Sequence, residues 1–178
     1  KRWCDYYGIE LMASIWSEAG LAAAQLVGMK CYKIAAQMAG NYELCNKIYR
    51  SYDRSVFVSL DRHSPYSEYH NNQTFSHMLW CKSKYPVYPD DIRKTPDYPG
   101  MPDDMAYPSP WFGYSDHMHG TDACLLAVAR GARYIEKHFC LDPTDLTVRD
   151  TVFSATPEEF AEMVKVGNGL HRLREAIG

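Results

Sequence analysis

Residues 113–139 read GYSDHMHGTDACLLAVARGARYIEKHF, and this stretch decides the fold class. Two short apolar segments each end in a polar cluster that contains a histidine, Ser115-Asp116-His117 in the first and Glu136-Lys137-His138 in the second. The segment between them has the apolar pattern of a helix. The stretch therefore predicts a strand, a crossover helix and a parallel strand, with both histidine clusters at the same edge of one sheet.

The same alternation of strand and helix runs through the rest of the chain. The predicted strands are residues 8–15, 30–35, 55–60, 75–81, 111–116 and 133–139. The predicted helices are residues 17–26, 42–50, 122–132 and 157–177. Thr156 directly precedes the last helix, and Glu159 in its first turn completes the T-x-x-E spacing of a capping box. This alternation indicates an α/β protein with a parallel sheet and outer helices.

One proline-rich segment interrupts the alternation. Seven of the ten prolines lie in residues 86–110. Proline lacks a backbone N–H and fixes φ, so this density excludes long helices and central strands. We expect a loop over one face of the sheet and not a linker between domains, because apolar strand patterns resume directly after it.

Size, charge and cysteine content limit the class of protein. A chain of 178 residues, 46% of them hydrophobic, can form one sizeable core, and its net charge of −3 favours neither nucleic acid nor an acidic membrane. No apolar run approaches the roughly 18 residues that a membrane span needs. The six cysteines form no C-x-x-C pair and most lie in apolar segments. Buried, reduced thiols in a cytoplasmic protein explain them best.

Every predicted strand ends in polar residues. In α/β barrels, functional groups collect at the carboxyl ends of the strands. The polar residues at these ends are Ser14, Lys33, Ser59, Ser83, Tyr85, Ser115, Asp116, His117, Glu136, Lys137 and His138.

His117 and His138 are candidate metal ligands. Neighbouring parallel strands lie about 4.8 Å apart, so imidazoles at adjacent strand ends can share one divalent ion, with carboxylates or water as further ligands. The alternative is a pair of hydrogen-bonded histidines with a structural role. His119 is two residues beyond His117 and is a second candidate for the same ligand.

Two lysines lie inside apolar strands, where an ammonium group needs a carboxylate partner or a bound anion. For Lys33, which lies near serines at strand ends, phosphate binding is favoured. For Lys137 two alternatives stay open, a buried ion pair with a carboxylate such as Glu136 and an anion site.

Four segments resemble the sialic acid synthase (N-acetylneuraminate synthase) family. FGYSDHMHGTDACLLAVARGARYIEKHFCLD is similar to the family's GxSDHTxGxxxxxxAVxxGAxxIEKHFTLD run, and YKIAA resembles its FKIAS strand. WCKSKYPVYPDD resembles its HCTSxYPTPxED segment, and TPEEFAEMV resembles its EPxEFxxMV helix. The resemblance covers essentially the whole chain. It implies one partial synthase-type domain, 1–178, an incomplete (β/α)8 TIM barrel with approximately strands 3 to 8 and their helices.

The resemblance also implies an activity. Members of the family are transferases that condense phosphoenolpyruvate with an N-acetylated amino sugar, such as N-acetylmannosamine, to give a nine-carbon 2-keto sugar acid and phosphate. A Mn²⁺ or Mg²⁺ ion polarises the sugar aldehyde. The family likeness further suggests a homodimer, and the charge and cysteine content described above predict a cytoplasmic protein without nucleic acid or membrane partners.

Matched position by position, the resemblance assigns roles to the residues at the strand ends. His117 and His138 fall on the two metal ligands, and Glu136 lies beside the metal; these three are the catalytic candidates. Tyr85 and Asp150 fall on positions that face the sugar. The candidate contacts to phosphoenolpyruvate are Ser14, Lys33, Ser59, Ser83, where the family has asparagine, and Ser115.

The sequence also departs from the family. Ala36 stands where a phosphate-contacting serine is usual, and Met38 stands where many members have a glutamate. The family's E-I-G-x-N-H-N-G and V-K-F-Q motifs and its C-terminal antifreeze-like domain do not occur in these 178 residues. Because the chain opens on Lys1, we expect a fragment. Because the glutamate and lysine of the two missing motifs are absent from it, we expect this fragment to be inactive, or nearly so, on its own. Two alternatives stay open: a degenerate member that serves as a binding or partner subunit, and another metal-dependent keto-acid-sugar synthase or aldolase.

Overall fold

A computed structural model describes residues 1–51, 55–61, 69–70, 72–73, 76–92, 105 and 110–177. The chain forms two compact units, Lys1–Met78 and Leu79–Gly178. Within the described ranges, no helix has both the length and the apolar character that crossing a bilayer requires.

The described residues of the first unit include three parallel strands and three helices with defined bounds. The strands β1 (Met12–Ser14), β2 (Cys31–Ile34) and β3 (Ser55–Leu60) pair in chain order. The helices are α1 (Arg2–Tyr7), α2 (Glu18–Leu26) and α3 (Tyr42–Tyr49), and a 3₁₀ turn covers Ala36–Met38. Strand and helix alternate because apolar β-branched and aromatic runs are separated by capped helical segments.

Side-chain caps start the second and third helices of this unit. The Ser17 hydroxyl accepts a hydrogen bond from the Gly20 N–H at 3.1 Å, and the Asn41 side chain accepts one from the Leu44 N–H at 3.1 Å. Such caps satisfy backbone donors that the first helical turn leaves free. In α3, Leu44 and Ile48 are four residues apart and both are buried, so the helix presents one apolar face to the core.

The second unit contains residues 113–139 with both histidine clusters. In it β4 (Ser76–Cys81, which begins in the first unit), β5 (Trp111–Asp116) and β6 (Tyr134–Lys137) are neighbours in that order. β5 and β6 are parallel, with Ser115 opposite Glu136 and Asp116 opposite Lys137. The helices α4 (Asp122–Ala129) and α5 (Pro157–Ile177) pack against each other.

The parallel α/β class is confirmed, because all six predicted strands are present. α1 was not predicted, and β1 is shorter than residues 8–15. Of the proline-rich segment, Pro89–Ile92 forms a 3₁₀ turn, while residues 93–104 and 106–109 lie outside the described residues. The number of barrel strands and the single-domain organisation stay predictions.

Candidate functional site

In the first unit, three of the predicted residues share one face of the sheet. Ser14 lies opposite Lys33, and Lys33 lies opposite Phe57, two residues before Ser59. Paired residues, and residues two apart in a strand, point to the same face. Lys33 and Ser59 are buried, and Ser14 is exposed. One ammonium group and two hydroxyls on one face are suited to an anionic group, and this role stays a prediction.

In the second unit, the two candidate metal ligands lie side by side. The ring centroids of His117 and His138 are 5.4 Å apart. His119 is exposed, and its ring lies against Tyr88, with a centroid distance of 6.4 Å. The structure therefore favours His117 over His119 as the partner of His138.

A backbone contact orients the His117 ring. Its Nδ1 lies 3.1 Å from the carbonyl oxygen of Lys82, directly after β4. A carbonyl oxygen only accepts, so Nδ1 carries the proton. Burial is the main cause that lowers the pKa of His117, and the Lys82 carbonyl opposes it. The neutral ring then has its lone pair on Nε2, as a metal ligand requires.

His138 is held through its backbone and lies near a carboxylate. Its carbonyl oxygen accepts a hydrogen bond from the Ala155 N–H at 2.8 Å. Its Nδ1 lies 4.0 Å from Oδ2 of Asp150, which the resemblance assigned to the sugar. Burial is the main cause that lowers the pKa of His138, and the Asp150 carboxylate opposes it. The geometry thus brings Asp150 to the histidine pair.

Two aromatic rings pack against the histidines. The Tyr85 ring centroid lies 4.0 Å from that of His117, and the Phe153 ring centroid lies 4.9 Å from that of His138. Phe153 is 4% exposed, whereas Tyr85 is 48% exposed. Burial raises the pKa of Tyr85 to about 12, so its hydroxyl stays protonated at neutral pH. The sequence held one indication that Phe153 belongs to this site, its position three residues after Asp150, and Phe153 was not predicted.

For the remaining candidates of this unit, Ser115, Glu136 and Ser83, register and exposure describe the position. Ser115 lies opposite Glu136, one pair before the end of each strand, so the two side chains share a face of the sheet. Ser115 is buried and Glu136 is partly exposed. Ser83 is exposed in the segment that follows β4. The strand register thus places Ser115 and Glu136 on one face. The role predicted for Ser83 rests on the resemblance alone.

The two alternatives for Lys137 are resolved in favour of an ion pair, but its partner is Asp116 and not Glu136. Nζ of Lys137 lies 2.7 Å from Oδ2 of Asp116, and neither side chain is exposed. Glu136 was the wrong candidate because neighbouring residues of a strand point to opposite faces. The structure thereby excludes an anion site at Lys137, since its ammonium group is buried against the Asp116 carboxylate.

Cys81 is a second residue that sequence reasoning missed. Its Sγ lies 3.9 Å from Nδ1 of His117, although 36 positions separate the two residues. None of the six cysteines, all of which the structure describes, forms a disulfide, as predicted. Cys81 lies at the end of β4, so a strand-end search that included thiols would have found it.

The donors near His117 and His138 fit a divalent ion that keeps open positions. Within the described ranges, no group of three or more histidine, cysteine or carboxylate side chains surrounds one point. Two neutral imidazoles would leave the other coordination positions to substrate and water, as in catalytic metal sites. Among divalent ions, Mn²⁺ accepts imidazole together with oxygen ligands.

A search for relatives matches the whole chain to one family model. The NeuB family model matches residues 1–178. The spore coat polysaccharide biosynthesis protein SpsE of Bacillus subtilis (strain 168) is 28% identical over 171 residues, which are 91% of this chain and 44% of that protein. The N,N'-diacetyllegionaminic acid synthase of Legionella pneumophila is 34% identical over 113 residues, 63% of this chain and 30% of that protein. The chain thus spans less than half the length of these relatives.

A solved structure shows a similar fold. The crystal structure of the N-acetylneuraminic acid (sialic acid) synthetase from Leptospira borgpetersenii, in complex with citrate, superposes with a TM-score of 0.75 at 26% identity. The match covers 95% of this chain and 59% of that one.

Proposed function

This chain belongs to the NeuB family, and from that premise we propose that it condenses phosphoenolpyruvate with an N-acetylated amino sugar in a metal-dependent reaction. The product would be a nine-carbon 2-keto sugar acid, released with phosphate. The family is shown by the match to its model, and the synthase names of similar proteins support the class of enzyme that we propose. The choice of substrates and the metal are our proposal.

One observation supports the proposal most strongly: two neutral imidazoles meet at adjacent strand ends. His117 and His138 lie with ring centroids 5.4 Å apart, and the Lys82 carbonyl directs Nε2 of His117 away from the backbone. Both pKa values are lowered, mainly by burial. Two uncharged rings held in this way are better suited to ligate a cation than to bind an anion.

The proposed reaction forms a carbon–carbon bond and breaks the bond that holds the phosphate. Carbon 3 of phosphoenolpyruvate attacks the aldehyde carbon of the sugar, and the aldehyde oxygen takes a proton. Water then adds at carbon 2 and gives up two protons, one that balances the proton taken by the aldehyde oxygen and one that leaves with the phosphate. The bond from carbon 2 to the phosphate oxygen breaks in this step, and carbon 2 becomes the keto group. A Mn²⁺ or Mg²⁺ ion held by His117 and His138 would supply Lewis-acid polarisation of the aldehyde.

The chain's own residues would bind and orient the substrates. Lys33, Ser14 and Ser59 present an ammonium group and hydroxyls to the anionic groups of phosphoenolpyruvate. Tyr85 and Asp150 flank the histidines and would hold the sugar hydroxyls. Glu136 provides a carboxylate at the end of β6, beside the proposed ion. Orientation of two substrates accounts for a large part of the rate enhancement in such condensations.

Phosphate release tests the proposal. The product of the complete open reading frame is assayed with phosphoenolpyruvate, Mn²⁺ and a panel of N-acetylated hexoses. We expect release that depends on one sugar, that is lost in His117→Ala and His138→Ala, and that is retained in His119→Ala, the matched exposed histidine. A folded protein that binds Mn²⁺ but releases no phosphate would identify a degenerate member retained for binding.

We also propose that the protein acts in the cytoplasm as a homodimer. Six described cysteines that form no disulfide are compatible with a reducing compartment. Sedimentation of the full-length product at two concentrations checks the dimer, and a monomer at both would refute it.

A further inference from the structure

Asp116 and Lys137 form a buried ion pair, and each directly precedes one of the two histidines. The register of β5 and β6 places Asp116 opposite Lys137. Cys124 of α4 lies 3.5 Å from Oδ2 of Asp116, so the pair lies on the helix-facing side of the sheet. Successive residues of a strand point to opposite faces, which directs His117 and His138 to the other side.

The Lys137 ammonium group also holds the chain beyond His117. It donates a short hydrogen bond to the carbonyl oxygen of Met118. Oδ1 of Asp116 accepts a hydrogen bond from the Met118 N–H at 3.2 Å and one from the Tyr114 hydroxyl at 2.7 Å. The residues on both sides of His117 are therefore fixed by the side chain that precedes His138.

We propose that Asp116 and Lys137 are positioning residues that set the separation of the two imidazoles for a single metal ion. The inference rests on the proposed function, because it needs His117 and His138 to share an ion. Imidazole nitrogens bind such ions at about 2.0–2.2 Å, and functional groups must be held to within about 0.5 Å. A cross-strand ion pair one residue before both ligands limits sliding of one strand end past the other.

A contribution to stability is a weak explanation for the presence of this buried ion pair. Replacement of a buried pair by apolar side chains of similar volume is often neutral or stabilising, because desolvation offsets the attraction between the charges. If the pair has a positioning role, its removal weakens metal binding even in a protein that stays folded. This difference separates a positioning role from a structural one.

The test compares Mn²⁺ affinity with stability in the full chain. The double variant Asp116→Asn/Lys137→Met removes both charges together and so leaves no uncompensated charge in the core. We expect it to retain the far-UV circular dichroism spectrum and to bind Mn²⁺ about tenfold more weakly or worse, by electron paramagnetic resonance of free Mn²⁺. A folded double variant with wild-type affinity would overturn the inference.

Met163→Ala is the matched control. Met163 is buried in α5 and lines a cavity whose lining includes neither Asp116 nor Lys137, and its truncation lowers stability through lost packing. We expect unchanged Mn²⁺ affinity in this variant. A loss of affinity as large as that of the double variant would show that the ion pair affects metal binding only through stability. If the double variant does not fold, Tyr114→Phe takes its place, because it removes one hydrogen bond to Asp116 and keeps both charges. Unchanged affinity in that variant would equally overturn the inference.

Different results would refute the proposed metal site and the positioning role. If the wild-type protein does not bind Mn²⁺, or if His117→Ala binds it as tightly as wild type, the metal site itself is refuted and the inference falls with it. Wild-type binding that depends on His117, together with an unaffected double variant, refutes only the positioning role.

Discussion

His70 shows how single hydrogen bonds decide which proton a buried histidine carries. Its Nε2 lies 2.9 Å from the carbonyl oxygen of Ala39, which only accepts, so Nε2 is protonated. Its Nδ1 then accepts a hydrogen bond from the Tyr49 hydroxyl at 2.5 Å. Burial is the main cause that lowers the pKa of His70. The folded state therefore holds the neutral ring, although the sequence assigned this residue no role.

We expect His70 to make the protein less stable in mild acid. The unfolded chain protonates this ring near pH 6.5 and the folded chain only at lower pH. Its contribution to the free energy of unfolding is complete above about pH 6.5 and is lost as the pH falls toward the folded pKa, by up to about 1.4 kcal/mol per pH unit. Urea unfolding between about pH 7.5 and about pH 5 measures this loss.

The comparison needs two variants. His70→Gln should lose less stability than wild type over the same pH range, because it has no proton to gain. His171→Gln, on the exposed face of α5, serves as the control and should match wild type. Equal pH slopes for wild type and His70→Gln would contradict the prediction.

At the scale of elements, the close approach of β5 and β6 depends on Gly113. A Cβ added at this position would lie 2.1 Å from the backbone oxygen of Tyr134 and 2.9 Å from Cδ2 of Leu79. The oxygen belongs to the paired strand, so it cannot move aside without disturbing the ladder. The absence of a side chain at Gly113 therefore permits the register that aligns the two histidine clusters.

We expect Gly113→Ala to lower the free energy of unfolding by about 3 kcal/mol, because the added methyl overpacks the strand pair. The control is Gly169→Ala in α5, where an added Cβ meets nothing within 4 Å. That change should raise stability by about 0.5–1 kcal/mol, since alanine is the better helix former. Chemical denaturation measures both, and a neutral Gly113→Ala would refute the argument from close approach.

The start of α5 confirms the capping box that the sequence predicted. The Thr156 N–H donates to Oε2 of Glu159 at 2.9 Å, and the Glu159 N–H donates to Oγ1 of Thr156 at 3.3 Å. Two backbone donors are thus satisfied by reciprocal side chains.

We expect Thr156→Ala to lower stability by about 1 kcal/mol, because one helix donor loses its acceptor. Glu159→Gln keeps an acceptor for the Thr156 N–H and should change stability little. The midpoint of thermal unfolding compares the two variants. An equal loss in both would point to the charge of Glu159 instead of the box.

At the scale of the whole molecule, the candidate groups are divided between two units. The anion-binding candidates Ser14, Lys33 and Ser59 belong to Lys1–Met78, and the histidine pair belongs to Leu79–Gly178. The family model matches both units without interruption. The proposed reaction needs an anionic and a neutral substrate, and the proposed roles give anion binding to the first unit and metal binding to the second.

Metal removal tests the proposal at this scale. EDTA should abolish sugar-dependent phosphate release in the full-length protein, and added Mn²⁺ should restore it. We expect the far-UV circular dichroism spectrum to stay unchanged, because protein contacts hold both histidines, through the Lys82 carbonyl and the Ala155 N–H. Phosphate release that persists in EDTA would refute the metal dependence.

Much of the fold was predictable from local pattern. The bounds of β3, β5 and α5 agree with the predicted residues, since each has a continuous apolar run or a defined cap. α1 was missed because it buries none of its residues and so has no amphipathic pattern to detect. Cys81 and Phe153 were missed because neither is close in sequence to the histidine that it approaches.

The sequence by itself determined the residue types, the order of strands and helices, and the placement of histidines at successive strand ends. These depend on periodicities of two and 3.6 residues, which are local. Only the tertiary structure decided that His117 and not His119 faces His138, and that Lys137 pairs with Asp116 and not with Glu136. Such choices depend on register and side-chain direction across neighbouring strands, which join residues about 20 positions apart, beyond the reach of any local pattern.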